Sequence, residues 1–218
     1  MKVLTSPQSG SQAGTTASRN RFGQYTRTRA IPVNPNTAAQ GAVRARLALN
    51  SAAWRQLTAA QRAGWADLAA SLVRTDALGQ SYSMQGNQAY ASVNNNRVFT
   101  GLTPVSDAPA VSTPVALATV TVTLTAASFS IAYTATPLAA ATYLAVYCSP
   151  QRSAGRGYES DFRFIKLSAA AAASPLAILT EYTAKFGVPV VGNKIFIVCR
   201  TITLGFESGP FLTSAIVA

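Results

Sequence analysis

The stretches "ATVTVTLT" (residues 118–125) and "SFSIAYTA" (residues 128–135) decide the fold of the C-terminal half. In both, polar and apolar residues alternate with a period of two, which is typical of a strand with one buried face. Four more stretches between turn residues have a strand-like character: "TYLAVYCS" (142–149), "FRFIKL" (162–167), "NKIFIVCRTI" (193–202) and "FLTSAIVA" (211–218). Six or seven such strands predict an antiparallel β-sandwich of the immunoglobulin or fibronectin type III kind.

Two features of this half depart from the sandwich pattern. The alanine run at 169–173 and the following "SPLAILTEYTAKFG" (174–187) predict a loop and a short helix rather than a strand. The central core tryptophan of immunoglobulin-like domains is also missing, because both tryptophans lie in the N-terminal half.

The motif "TAAQ" occurs twice, at 37–40 and 58–61, and predicts a small helical module. Each copy is a capping box, in which the Thr hydroxyl accepts from the N3 amide and the Gln side chain reaches back to the cap. The short connection around Leu57 predicts a helical hairpin zipped by its two tryptophans. The helical periodicity predicts a module core formed by Val43, Leu47, Trp54, Trp65, Leu68 and Leu72.

A third helix is predicted over "MQGNQAYASVNNNRVF" (84–99), with the Asn run at 94–96 expected to mark its end. The prolines of "TPVSDAPAVSTP" predict a linker. The fold class is therefore α+β, with four predicted parts. They are an extended basic arm (1–36), the helical module (37–103), the linker (104–115) and the sandwich (116–218).

The arm carries an unusual amount of positive charge for a segment with few apolar residues. The 218-residue chain has a net charge of +11, although only 11% of its residues are charged and 49% are hydrophobic. After Gly23 the arm alternates like a strand, with Tyr25, Arg27, Arg29 and Ile31 on one side, and an unpaired strand needs a partner edge. The candidate interaction residues are Arg19, Arg21, Phe22, Tyr25, Arg27 and Arg29.

Three roles of the arm compete: it grips nucleic acid, it is a disordered tail, or it becomes ordered in an assembly. Arginine binds phosphate well and the aromatic residues could stack on bases. However, the arginines are diluted by Thr, Asn and Gln, and no helix-turn-helix, RRM or zinc-finger pattern is present. Ordering the arm costs about 1 kcal/mol or more per residue, which its few apolar side chains cannot recover. An arm laid over neighbouring subunits is therefore favoured.

The sequence offers little for catalysis, because it contains no histidine. That removes the usual general base, the His-dependent nucleophile systems and most zinc sites. Glu159 and Asp161 lie beside three arginines, which indicates either a solvated hairpin loop or a glycosidase-type acid pair acting on cell-wall sugars. We expect no enzyme, no cofactor and no metal site. Cys148 and Cys199 are predicted to be buried thiols rather than metal ligands or a disulfide.

Nothing in the chain predicts membrane association. No stretch of about 20 apolar residues could span a bilayer. The opening "MKVLTSPQSGSQAG" turns polar after four residues, unlike a signal peptide. We therefore expect the protein to be made and kept in a cytoplasm until something releases it.

Residues 18–97 carry the motifs of a recognisable pattern. An Arg- and Gly-containing segment is followed by "P-x-NP-x-T-x-x-Q", then "LTxAQRxxW", then "G-x-x-A-[FY]-x-x-x-N-x-x-R". The matching residues are Pro32, Asn34, Pro35, Thr37 and Gln40; Leu57, Thr58, Gln61, Arg62 and Trp65; and Gly86, Ala89, Tyr90, Asn94 and Arg97. This part resembles a family of phage and prophage virion-associated proteins, some of which carry a β-sandwich-like domain afterwards.

The resemblance implies a non-enzymatic structural component of a tailed-phage particle, assembled in the host cytoplasm and located in the virion. We expect a capsid decoration (cement) protein whose arm clamps the major capsid protein or neighbouring copies in a symmetric homo-oligomer. A neck or tail protein, such as a connector or fibre-anchoring subunit, is the alternative. A nucleic-acid-binding protein using the arginine arm is the alternative from a different class.

Overall fold

The structure is a computed structural model that describes residues 8–21, 23–75 and 78–218. Across these residues it is α+β, with four helices, several antiparallel sheets and no closed barrel. The helices are α1 (Ala38–Gln56), α2 (Ala59–Ser71), α3 (Gly86–Phe99) and α4 (Leu179–Phe186). The chain divides between Val43 and Arg44 into two compact units, while the domain boundaries predicted above stay predictions.

The strands are β1 (Gly10–Gln12), β2 (Thr15–Asn20), β3 (Gly23–Thr28), β4 (Val73–Thr75), β5 (Ser81–Ser83), β6 (Thr119–Leu124), β7 (Phe129–Thr134), β8 (Thr142–Cys148), β9 (Arg152–Ser153), β10 (Arg163–Leu167), β11 (Leu176–Ala177), β12 (Asn193–Thr203), β13 (Phe206–Glu207) and β14 (Phe211–Ile216). These described strands form four sheets. Three of the sheets have the strand orders β1-β2-β3, β4-β5 and β11-β7-β6. The fourth has the order β10-β8-β12-β13, and β14 and β9 also pair with β12.

The C-terminal half is built as the alternation predicts. All six predicted stretches contain a strand, and α4 lies within the stretch predicted to hold a short helix. One hydrophobic core joins side chains of β6 and β7 to those of β8, β12 and α4, so the smaller sheet faces the larger one. Tyr182 of α4 is fully buried in this core, where its hydroxyl donates to the Ser149 carbonyl at 3.2 Å.

Both predicted capping boxes are formed. The Gln40 amide donates to Thr37 Oγ1 at 3.3 Å, and the Thr37 amide donates to Gln40 Oε1 at 3.2 Å. The second box has the same pair of bonds between Thr58 and Gln61. Local polar chemistry therefore sets where α1 and α2 begin.

The helical module packs differently from the predicted hairpin. Its core is formed mainly by α2 and α3, and the two tryptophans meet through Tyr90 of α3, with ring centroids 5.5 Å from Trp54 and 5.2 Å from Trp65. Val43 and Leu47 are 56% and 53% exposed, so they lie outside the core that they were predicted to join. Trp65 and Leu68 are buried, while Trp54 and Leu72 pack at the edge of the core.

Val43 and Leu47 are exposed because α3 takes the place in the core that was predicted for α1. The buried residue of α1 is polar: Asn50 donates through Nδ2 to Asn95 Oδ1 at 2.9 Å. Leu47 is left in the lining of a groove between α1 and α3. An alanine-rich helix offers little apolar area on any face, so the larger Ala89, Tyr90 and Val93 surface of α3 buries Trp65 instead.

Candidate interaction surfaces

The arm forms a sheet of its own. β3 pairs antiparallel with β2, with Thr16 opposite Arg27 and Ser18 opposite Tyr25, and β2 pairs with β1. The Arg29 amide extends this pairing by donating to the Gly14 carbonyl at 2.8 Å. The expectation that the strand after Gly23 lacks a partner in its own chain is therefore wrong, because β2 supplies the edge.

The arginines of the arm sheet do not share one face. Alternate residues of a strand lie on the same side of a sheet, so Tyr25 and Arg27 of β3 share one face. Gln24 lies on the other face, and so does Arg19, which is directly opposite Gln24. Arg21 lies in the turn between β2 and β3. Arg19, Arg21, Arg27 and Arg29 are exposed, and Phe22 lies outside the described residues. The arm therefore presents positive charge in several directions.

The described residues of the arm sheet form no hydrophobic core of their own. Every described residue of β1, β2 and β3 is exposed or half-buried, and its side chains are mostly Ser, Thr, Gln and Arg. The sequence from residue 8 to residue 43 contains no acid. A three-stranded sheet needs either an apolar face or packing against another element to be stable. A partner surface that covers this sheet would supply that packing and could offer acceptors to its arginines.

The Asn triplet in α3 is a second group of side chains whose role the sequence did not reveal. Predicted to end the helix, it lies inside α3, which continues to Phe99. Each Asn holds a different part of the chain: Asn94 bonds the Val105 backbone, Asn95 accepts from Asn50 of α1, and Asn96 donates to the Gly205 carbonyl at 3.0 Å. The triplet therefore ties α3 to three other segments.

The first residues of the predicted linker are hydrogen-bonded to α2 and α3. Asn94 is fully buried and bonds Val105 twice, accepting from its amide at 2.8 Å and donating to its carbonyl at 3.0 Å. Arg97 Nε donates to the Thr103 carbonyl at 2.8 Å, and Trp65 Nε1 donates to the Ser106 carbonyl at 2.7 Å. These bonds fix residues 103–106 against α2 and α3.

The family-like motif residues in α2 and α3 have structural explanations. Thr58 and Gln61 cap α2, and Arg62 donates to the Arg55 carbonyl at 2.8 Å. A Cβ on Gly86 would lie 3.1 Å from the Ala66 amide nitrogen, so a side chain there would press on α2. Leu57, Trp65, Ala89 and Tyr90 are core residues. In this chain the motif residues of α2 and α3 therefore form a packing unit.

The predicted solvated loop around Glu159 is an ordered ion-pair cluster. Glu159 is only 4% exposed, and its carboxylate accepts from Arg152 Nε and from the backbone amides of Ser160 and Asp161 at 2.9 and 3.0 Å. Arg156 Nε lies 3.5 Å from the same carboxylate. The Asp161 amide, the Arg152 guanidinium and the Ser160 amide hold the pKa of Glu159 at about 2, although burial acts in the opposite direction. A general acid needs a raised pKa, so Glu159 is unsuited to that role.

Acid should weaken the protein through Glu159. Its folded pKa of about 2 lies below its ordinary value of 4.5, so its stabilising effect is complete above pH 4.5 and is lost as the pH falls through about 2. We expect Glu159→Gln to lower the free energy of unfolding at pH 7, and this deficit to shrink towards pH 2. Urea unfolding of both proteins at several pH values measures it. A deficit that stays constant across this range would contradict the assignment. Arg152→Gln should shift the acid-induced loss of stability to higher pH, because Arg152 lowers the pKa of Glu159.

The two cysteines are free and buried, as the sequence predicts. Cys148 of β8 and Cys199 of β12 both belong to the hydrophobic core of the C-terminal half. Burial raises the pKa of both thiols, that of Cys199 to about 12. Such thiols are inert at neutral pH and contribute as small core residues.

No protein-family model and no curated protein matches this chain. Within the part of the chain that the structure describes, no helix is long and apolar enough to cross a membrane. The exposed basic arm sheet and the contacts of α3 with distant segments are the features of this molecule from which a function can be inferred.

Proposed function

We propose that this protein is a non-enzymatic structural component of a tailed-phage virion, with a capsid decoration or cement role as the first choice. In this role the arm lies on neighbouring shell subunits and clamps them, and the rest of the chain packs at a symmetry interface or projects outward. The protein is assembled in the host cytoplasm and carried in the virion. Its partners are the major capsid protein or other virion subunits, together with further copies of itself.

The arm sheet is the observation that carries this proposal. It is exposed, polar, rich in arginine and free of acid, and it has no apolar face to stabilise it alone. A partner with sheet edges or acidic groups would pair with its outer strand edges and receive the exposed Arg19, Arg27 and Arg29 together. Polar exposed segments that gain order on assembly suit a clamp, because the ordering cost is offset only in the assembled state.

The C-terminal half has a more specific fold in this proposal. We propose that the C-terminal half is an immunoglobulin- or fibronectin III-like β-sandwich. Two antiparallel sheets that share one core support this assignment. The short α4 and the two-residue β9, β11 and β13 are elements that a minimal sandwich does not need.

Quantitative mass spectrometry of purified particles tests the proposed role. About one copy per major shell subunit, or a simple fraction of that, is the expected result for a decoration protein. About six or twelve copies per particle would favour the alternative of a neck or tail subunit, since cyclic rings set such counts. Absence from particles would contradict both roles.

The arm itself is tested by rebinding to particles that lack the protein. Deleting residues 1–36 should abolish rebinding and leave the thermal unfolding of the remainder cooperative. Replacing Arg19, Arg21, Arg27 and Arg29 by Gln should also abolish it, whereas Lys at all four positions should restore part of it, because charge is kept and bidentate contacts are lost. Rebinding that survives the deletion would contradict the clamp.

One observation supports the nucleic-acid alternative: Tyr25 and Arg27 share a face of the arm sheet, so stacking and phosphate contacts could combine there. Binding of a DNA oligonucleotide that weakens steeply with salt, and that is lost on deleting residues 1–36, would favour this role. Intact protein without DNA affinity would exclude it.

A further inference from the structure

A groove of about 750 Å³ lies outside the arm and outside the ion-pair cluster. One side is formed by β4, β5 and α3, and the others by residues 111–114 and 205–210. These segments belong to the same compact unit, and the groove collects them from distant parts of the sequence. A cavity of this size can enclose a small molecule or several residues of an extended peptide.

Among the described lining residues of the groove, the charged side chains are Arg74, Arg200 and Glu207. Glu207 Oε1 accepts from Arg200 Nη1 at 3.1 Å. The Arg200 Nε is buried and has no hydrogen-bond partner. Among the described buried side-chain atoms, one other lacks a partner, Gln24 Nε2. A buried donor without a partner costs about 1–3 kcal/mol, and more on a charged group. Glu207 satisfies one nitrogen of this guanidinium, whose side chain as a whole is 38% exposed.

The rim of the groove is apolar and is bordered by strand edges. Val73, Tyr82 and Val111 are about half or more exposed there. β4 belongs to a two-stranded sheet, and β13 is the end of its path in the larger sheet, so both are edge strands among the described elements. Edge strands offer unpaired backbone groups that an extended peptide can bond, while alternate side chains enter a pocket.

We propose that this groove binds an extended, acid-bearing polypeptide segment of a partner protein, with one carboxylate received by Arg200 and Arg74 and with apolar side chains on either side. Charge complementarity selects this occupant, since the chain carries a net charge of +11 and the described lining of the groove has two arginines against one carboxylate. The bidentate geometry of arginine suits a carboxylate. This inference stands apart from the arm, because no residue of the groove belongs to it.

A titration with two short peptides tests the groove, using the full chain labelled with ¹⁵N. The probe is acetyl-Val-Glu-Val-Glu-Val-amide, and acetyl-Val-Gln-Val-Gln-Val-amide is its uncharged counterpart. We expect the acidic peptide to shift the amide signals of residues 111–113 and 205–209 in a saturable way. The Gln peptide should bind at least about tenfold more weakly, because a charge-assisted bond contributes about 1.5–3 kcal/mol.

Variants separate the groove from general attraction to a basic protein. Arg74→Gln combined with Arg200→Gln should weaken binding about tenfold or more. Arg19→Gln combined with Arg27→Gln removes the same charge from the arm and should change the Kd about twofold or less. If the first pair lowers stability, Arg74→Gln alone is compared, with about a threefold loss expected. Equal binding of both peptides, unchanged binding by the groove variants, or shifts confined to other residues would overturn the proposal.

Discussion

Replacing Trp65 by alanine should lower the free energy of unfolding by about 3–5 kcal/mol. Trp65 is fully buried in the core shared by α2 and α3, and its ring stands edge-on to Tyr90 at 81°. The substitution also removes the 2.7 Å bond to the Ser106 carbonyl, which then lies beside a cavity without its donor. Guanidinium unfolding followed by circular dichroism measures the loss.

Trp54→Ala is the matched control for this prediction. Both tryptophans contact Tyr90, but Trp54 is only partly buried and its indole makes no comparable bond to any described residue. It should lose roughly half as much stability, because less apolar area leaves water on folding. A loss for Trp54→Ala equal to or greater than that for Trp65→Ala would mean that α1, rather than α3, completes the core.

Sequence signals that are complete within a few residues predicted the structure well. The period of two in residues 118–135 is enough to define β6 and β7, because burial of one face is a local pattern. The capping boxes at Thr37 and Thr58 use only side chains and amides three residues apart. Such features do not depend on what the rest of the chain does.

Partner choice was not predictable in the same way. Val43 and Leu47 have helical spacing, but in an alanine-rich helix this spacing does not reveal whether another helix competes for the core. The pairing of β3 with β2 was missed because the arm has no apolar alternation to fix a register. In both cases the outcome depends on segments remote in sequence.

The candidate sites follow the same division. The basic character of the arm is visible in its composition, whereas the groove brings together Arg74, Pro114 and Arg200, which lie far apart in the chain. The spacing of Asn94 and Arg97 in the family-like motif was a usable signal for the contacts that Asn94, Asn95 and Asn96 of α3 make with other segments. Its meaning became clear only when Val105, Asn50 and Gly205 were seen as the partners.

Replacing Gly205 by alanine should cost about 3–5 kcal/mol and loosen the contact between α3 and the turn after β12. Gly205 has φ +99°, and a Cβ there would lie 2.7 Å from the Val93 carbonyl oxygen and 2.8 Å from Arg97 Cγ. The nearest atom belongs to the backbone of a helix, so it cannot turn aside as a long side chain could. The clash also strains the bond from Asn96 to the Gly205 carbonyl. Chemical unfolding measures the cost, and hydrogen exchange across residues 93–97 and 204–206 reports the loosening.

Gly192→Ala separates the two parts of this effect. Gly192 has φ +86° but no atom within 4 Å of a Cβ built on it, so its substitution carries the backbone strain without the clash. That strain costs about 1–2 kcal/mol and should leave exchange in α3 unchanged. If both substitutions cost the same, the close approach of α3 to this turn contributes nothing. The other outcome is that Gly205→Ala lowers the free energy of unfolding more than Gly192→Ala, with hydrogen exchange rising only near α3 and this turn. That result would mean that the contact of α3 with Gly205 joins the helical module to the β-rich half.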